Sequence, residues 1–169
     1  GIEVSPLTMP LRDQVYTFPA LPRNTFHGLP GLLADSLPDK FGNALIDAWL
    51  ATQGRTPESF NPVERLCYTG TRGMGALEFA PGLGPRARTA QKIEIDALVA
   101  LASEVLSQRG ELQGTFADPE RKHALNDILR VGTSAGGARA KAVIAWNPTT
   151  NEVRSGQVGA GPGFGYWLL

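Results

Sequence analysis

The chain has 169 residues, with 16 Lys and Arg against 16 Asp and Glu, so its formal charge is zero. That balance argues against a nucleic-acid binder working by bulk charge, since such domains are strongly basic, though a local basic patch is compatible with it. The single cysteine, Cys67, excludes an internal disulfide and a cysteine-built zinc site, and no run of about 18 apolar residues is present to span a membrane.

The N-terminal "GIEVSPLTMPLRDQ" lacks the basic start and apolar stretch of a signal peptide, and one unpaired cysteine suits a reducing, cytoplasmic compartment. The chain starts on Gly and ends on the core-like "GFGYWLL", so the natural polypeptide is expected to continue at both ends.

Residues 1 to 19 read as short extended pieces broken by Pro6 and Pro10. Pro30 and Pro38 each suit a first helical turn. After Pro38 the set Phe41, Leu45, Ile46, Trp49 and Leu50 predicts one helical face, with Gly54 as its stop. "NPVERLCY" predicts a short helix with Asn61 as N-cap and Pro62 in the first position, and "GALEF" reads as a strand. Residues 81 to 92, "PGLGPRARTAQK", read as an exposed basic linker between two parts.

Beyond it Ile95, Leu98, Val99, Ala102, Val105 and Leu106 recur at helical spacing, with Gly110 as a stop. Asp118 and Pro119 signal a further helix bearing Leu125, Ile128 and Leu129 on one face. The loop "VGTSAGGARAK" follows. Then "ARAKAVIAW", "NPTTN" and "EVRSG" predict a hairpin, and "YWLL" a third strand. The fold class is α+β.

The loop from Val131 to Lys141 admits two readings. A phosphate cradle needs successive backbone N–H groups that an anion can approach without Cβ atoms in the way, and a nearby lysine adds a point charge. Gly136, Gly137, Ala138, Arg139, Ala140 and Lys141 meet these demands, and Thr133 and Ser134 add hydroxyls. The spacing is nevertheless not G-x-x-x-x-G-K-[ST], because Ala138 stands where the lysine should be, and the loop precedes a strand rather than a helix. On residues alone a structural turn stays open beside the cradle.

Other candidates carry less chemistry. His27 and His123 have no ligand spacing, so no metal site is predicted. Ser134 lacks the context of an acyl-transfer nucleophile. Asp35, Asp39 and Asp47 read as helix-terminal or surface carboxylates, and Trp49, Trp146 and Trp167 as core. The glycines at 159, 161, 163 and 165 do not form G-x-G-x-x-G.

Three stretches in order, "GLPGLLADSLPDKFGNALI", "YTGTRGMGALEF" and "GTSAGGARAKAVIAW", resemble the HipA-family toxin kinases, serine/threonine protein kinases of bacterial type II toxin–antitoxin systems. The ending "GYWLL" resembles the family strand that leads to the ATP-binding lysine. The resemblance implies an N-terminal subdomain over residues 1–84. It implies a kinase-like small lobe, with a β-hairpin and glycine-rich loop, over residues 85–169. It places ATP phosphates on Gly136, Gly137, Ala138, Arg139, Ala140 and Lys141, and the regulatory autophosphorylation on Ser134. It further implies Mg2+ as cofactor, a HipB-like helix-turn-helix antitoxin as partner, and operator DNA contacted only through that antitoxin. A protein substrate such as an aminoacyl-tRNA synthetase is implied as well.

The family's catalytic aspartate and metal ligands belong to a C-terminal lobe with no counterpart among these residues. The chain by itself is therefore expected to be inactive. The alternative is a non-catalytic interaction or inhibitor module of a toxin–antitoxin complex.

Overall fold

A computed structural model describes residues 2–73, 75–85, 90, 92–107, 128–129 and 141–169. The chain divides into two units, residues 1–37 and residues 38–169.

In the first unit residues 5–13 turn on themselves between the unbent pieces 2–4 and 14–18. The Met9 N–H donates to the Ser5 carbonyl at 2.8 Å, the Thr8 hydroxyl to the Glu3 carbonyl at 3.0 Å, and the Tyr16 hydroxyl to the Pro10 carbonyl at 2.6 Å. The extended pieces expected here are thus not strands. Short local bonds occupy the groups that a ladder would use, and Pro6 and Pro10 have no N–H to offer one. Two brief helices follow, α1 (Arg23–Phe26) and α2 (Gly31–Asp35). Pro30 stands at the N-cap position of α2, one place before its first turn.

The second unit is built on better-punctuated helices. Asp39 caps α3 (Lys40–Ala51), its side chain accepting from the Gly42 N–H at 2.8 Å. Pro38 therefore lies just outside the helix, because the carboxylate and not the proline takes the cap. Phe41, Leu45, Ile46 and Leu50 are buried as their spacing predicts, together with Ala44 and Ala48, while Trp49 is only partly buried. Gly54 follows in the left-handed region, at φ +68.

Helix α4 (Pro62–Thr69) opens with a full capping box: Asn61 accepts from the Glu64 N–H at 3.0 Å, and Glu64 accepts from the Asn61 N–H at 2.7 Å. Arg65 ties α4 to α3 through Asn43 at 2.8 Å and Asp47 at 2.9 Å. Trp49 packs against Phe60 and Tyr68, with ring centroids 5.8 and 5.0 Å apart.

"GALEF" is not a strand. Residues 75–79 run as a loop, with the Phe79 N–H donating to the Gly70 carbonyl at the end of α4 rather than to a neighbouring strand. Of the expected linker, residues 81–83 are exposed, yet both described ends are held. Leu83 donates to the Cys67 carbonyl at 2.9 Å, and Ile93 is buried with its N–H on the Val153 carbonyl at 2.9 Å. Arg86 and Arg88 lie outside the described residues.

Helix α5 (Ile95–Ser107) delivers Leu98 and Ala102 to the core, where Ile128 and Leu129 join Phe41, Ile46 and Leu50. The core cluster therefore draws on residues from both sides of position 84. Gly110 and the Asp118–Pro119 helix start lie outside the described residues, although residues 128 and 129 are helical.

The hairpin and third strand form as expected: β1 (Val143–Asn147), β2 (Glu152–Ser155) and β3 (Gly165–Leu168), all antiparallel, in the order β2-β1-β3. Ile144 lies opposite Ser155 on one side and Trp167 on the other. The architecture is α+β, helices with a small antiparallel sheet.

Candidate functional site

Of the residues expected to hold phosphate, Lys141 is described. Gly136, Gly137, Ala138, Arg139 and Ala140 lie outside the described residues, as does Ser134. Lys141 sits two residues before β1. Its neighbour Ala142 exchanges backbone bonds with Leu169, at 3.1 Å for its own N–H and 2.9 Å for the return bond.

The lysine amine does not project into open solvent. Its Nζ lies 3.9 Å from Asp39 Oδ2, with the lysine side chain 21% exposed and the aspartate side chain 9% exposed. At that distance the contact is an ion pair rather than a hydrogen bond. Asp39 thus has two tasks: one oxygen caps α3 and the other faces the lysine. The aliphatic stem of Lys141 lines an apolar groove of about 160 Å³ with Phe41, Leu98, Ala102 and Leu169.

A second contact bears on the other end of the same stretch. Arg72, in the quoted "YTGTRGMGALEF", donates from Nη1 to the Leu129 carbonyl and from Nη2 to the Tyr68 carbonyl at 2.7 Å. Its guanidinium also lies over the Tyr68 ring, 4.7 Å from the centroid. Burial raises the Tyr68 hydroxyl above its ordinary pKa, and the adjacent Arg72 cation opposes that shift.

Gly84 completes this corner, because a Cβ there would run into the Tyr68 carbonyl and the Arg72 guanidinium. Beside it lies a cleft of about 320 Å³ whose lining includes Thr69, Thr71, Arg72, Phe79, Val158 and Gln157. Sequence reasoning had no role for Arg72, and it read Asp39 only as a helix end. The available signal was an arginine between glycines directly after a helix, a position suited to reaching carbonyls at a helix C-terminus.

The remaining candidates stay apart. His27 ends α1 in the left-handed region, at φ +53, and His123 lies outside the described residues. Asp39 and Asp47 both serve helix α3, as a cap and in the Arg65 pair. Burial, with Glu64 nearby, pushes the Cys67 thiol up, which makes it a weaker nucleophile. Trp146 and Trp167 stack edge to face at 6.2 Å, with Trp167 more than half exposed. Among the described residues no three His, Cys, Asp or Glu side chains come together to hold a metal, so no step is assigned to Mg2+ on these residues. Nor is any described helix long and apolar enough to cross a membrane.

Compared with known families, residues 1–80 match the model of the HipA N-terminal domain. This stretch is similar to the N-terminal domain of the HipA family. No curated protein and no solved structure matches the chain. The HipA match takes in α1 to α4 and the Asp39 cap. Asp39 and Arg72 both fall within the matched stretch, whereas Leu129 and Lys141, which they touch, fall beyond it.

Proposed function

We propose that these residues form the phosphate-holding part of a HipA-like serine/threonine protein kinase. The observation that carries this reading is the HipA N-terminal domain over residues 1–80, followed in the same chain by "GTSAGGARAK". In this reading backbone N–H groups from Gly136 to Ala140 cradle phosphate oxygens, and Lys141 adds a point charge beside them. ATP supplies the transferable phosphoryl group when bound. Catalysis of such a transfer is mostly positioning and charge neutralisation.

Ser134 is the regulatory phosphorylation site in this reading. The transferred phosphate goes to a serine of a protein such as an aminoacyl-tRNA synthetase, and growth stops. A HipB-like antitoxin neutralises the activity and contacts operator DNA. These 169 residues by themselves bind nucleotide without transferring phosphate.

Titration of Mg·ATP into the chain by calorimetry tests the central claim. Saturable binding is expected, and Lys141→Ala should weaken it about tenfold, the loss of one charge-assisted contact. Undiminished affinity in that variant would sink the assignment.

A second reading, a non-catalytic interaction module, is favoured by one observation. Leu7, Leu11 and Val15 are 91%, 105% and 85% exposed, apolar surface of a kind that partners cover. Absence of ATP binding by the wild-type chain would select it.

A further inference from the structure

We propose that the cleft beside Arg72 binds a small organic anion, a carboxylate or phosphate group carried on an apolar body. This site is separate from the nucleotide reading, because its described lining comes from residues 68–72, 79–85 and 157–158.

At about 320 Å³ the cleft falls in the size range of small-molecule sites. Its walls are set before any ligand arrives. The Phe79 N–H is fixed on the Gly70 carbonyl at 3.2 Å and the Leu83 N–H on the Cys67 carbonyl at 2.9 Å. Just before Gln157, the Gly156 N–H is held by the Val143 carbonyl at 2.9 Å. Little ordering is left for a ligand to impose, which favours binding.

Charge decides the class of ligand. Among the described residues lining the cleft, Arg72 alone carries a formal charge. Its guanidinium is directed by the Tyr68 carbonyl at 2.7 Å, by the Leu129 carbonyl and by the Tyr68 ring below it. Neutral carbonyls fix its direction without cancelling its charge. The arginine also stands at the C-terminal end of α4, where unmet carbonyls would make the wall negative. They are met. The Leu66 and Cys67 carbonyls accept from the Gly70 and Leu83 N–H groups, and those of Tyr68 and Thr69 accept from Arg72 Nη2 and its backbone N–H. The wall therefore presents a cation, and a guanidinium suits carboxylate and phosphate oxygens. Phe79 and Val158 add apolar surface for the body of the ligand.

Benzoate and phenyl phosphate, titrated separately into the chain by calorimetry, are the probes, with benzyl alcohol as the uncharged control. Both anions should bind saturably, and benzyl alcohol about tenfold more weakly, for want of the charge-assisted contact. Thr71→Glu places a carboxylate on an exposed part of the lining, so it should weaken both anions about tenfold while the melting temperature stays near wild type. Arg72→Lys keeps the charge without the planar fork and should weaken them about fivefold.

Whichever anion binds more tightly, that order upholds the cleft and names its head group. No saturable binding of either anion, or equal binding of benzyl alcohol, overturns the proposal, as does affinity unchanged by Thr71→Glu. Anion binding that survives Thr71→Glu and disappears in Lys141→Ala belongs to the lysine and overturns it too. Benzoate binding without any Mg·ATP binding upholds the cleft, and the nucleotide reading alone then fails.

Discussion

Helices α1 and α2 differ from α3 and α4 in what holds them. The first two are four and five residues long, have no side-chain cap, and bury no residue of their own. The second two open on Asp39 and Asn61 caps and send Phe41, Leu45, Ile46, Leu50, Leu66 and Tyr68 inside. A helix of one turn gains too few hydrogen bonds to offset the order it imposes, so it persists only where flanking prolines and turns already bend the chain that way. The capped pair is stabilised by burial, and it is this pair that supplies Asp39 to Lys141 and leads into Arg72.

The sharpest way to break that contrast is to empty one side chain on each side of it. Phe41→Ala should cost about 3–5 kcal/mol in chemical denaturation, because the ring is 1% exposed and the space cannot collapse fully. Leu11→Ala should stay within about 0.5 kcal/mol, since the leucine is fully exposed. Equal losses would mean that the first unit depends on its apolar residues as much as the second does.

A smaller effect is expected at the caps. Asn61→Ala removes the side-chain acceptor of the Glu64 N–H, one half of the capping box, and should lower stability by about 1 kcal/mol, read as a shift in the urea midpoint.

The smallest effect concerns pH. Arg154 holds the Glu152 carboxylate below its ordinary value of 4.5, chiefly through their hydrogen bonds, with Lys92 helping. A carboxyl with a depressed folded-state pKa stabilises the fold above its unfolded value, and that contribution is lost as pH falls through the lower, folded value. Melting temperature should therefore be level from neutral pH down to the ordinary carboxylate range and fall below it. Glu152→Gln should flatten that fall slightly, and salt should shrink the difference because the pair is exposed to solvent.

Much of the second unit could be read from residues alone, for local reasons. Asn61, Pro62 and Glu64 specify a helix start within four positions, and β1, "NPTTN" and β2 specify a hairpin within thirteen. "GALEF" misled because its alternation suits a strand, yet among the described residues no partner strand pairs with it and its Phe79 N–H serves the end of α4 instead. The long-range contacts were not legible. Lys141 was singled out by its place after the glycines, but its partner Asp39 lies 102 positions earlier, and Arg72 lies 57 positions before Leu129. Pairings over such distances leave no periodicity behind.

The double clamp around Ala142 bears on how this chain can change length. Ala142 is bonded to Leu169, and the Val143 carbonyl accepts from the Gly156 N–H at 2.9 Å, so β1 is held in register from both edges at the point where the lysine leaves it. One residue inserted between Lys141 and Ala142 would displace the amine by about 3.3 Å and turn it to the opposite side of the strand. The Asn147–Asn151 turn meets no such constraint, since its exposed Thr149 and Thr150 amides bond only to the Asn147 side chain. A change of length that the hairpin tip could absorb is thus closed to the step from Lys141 to Val143.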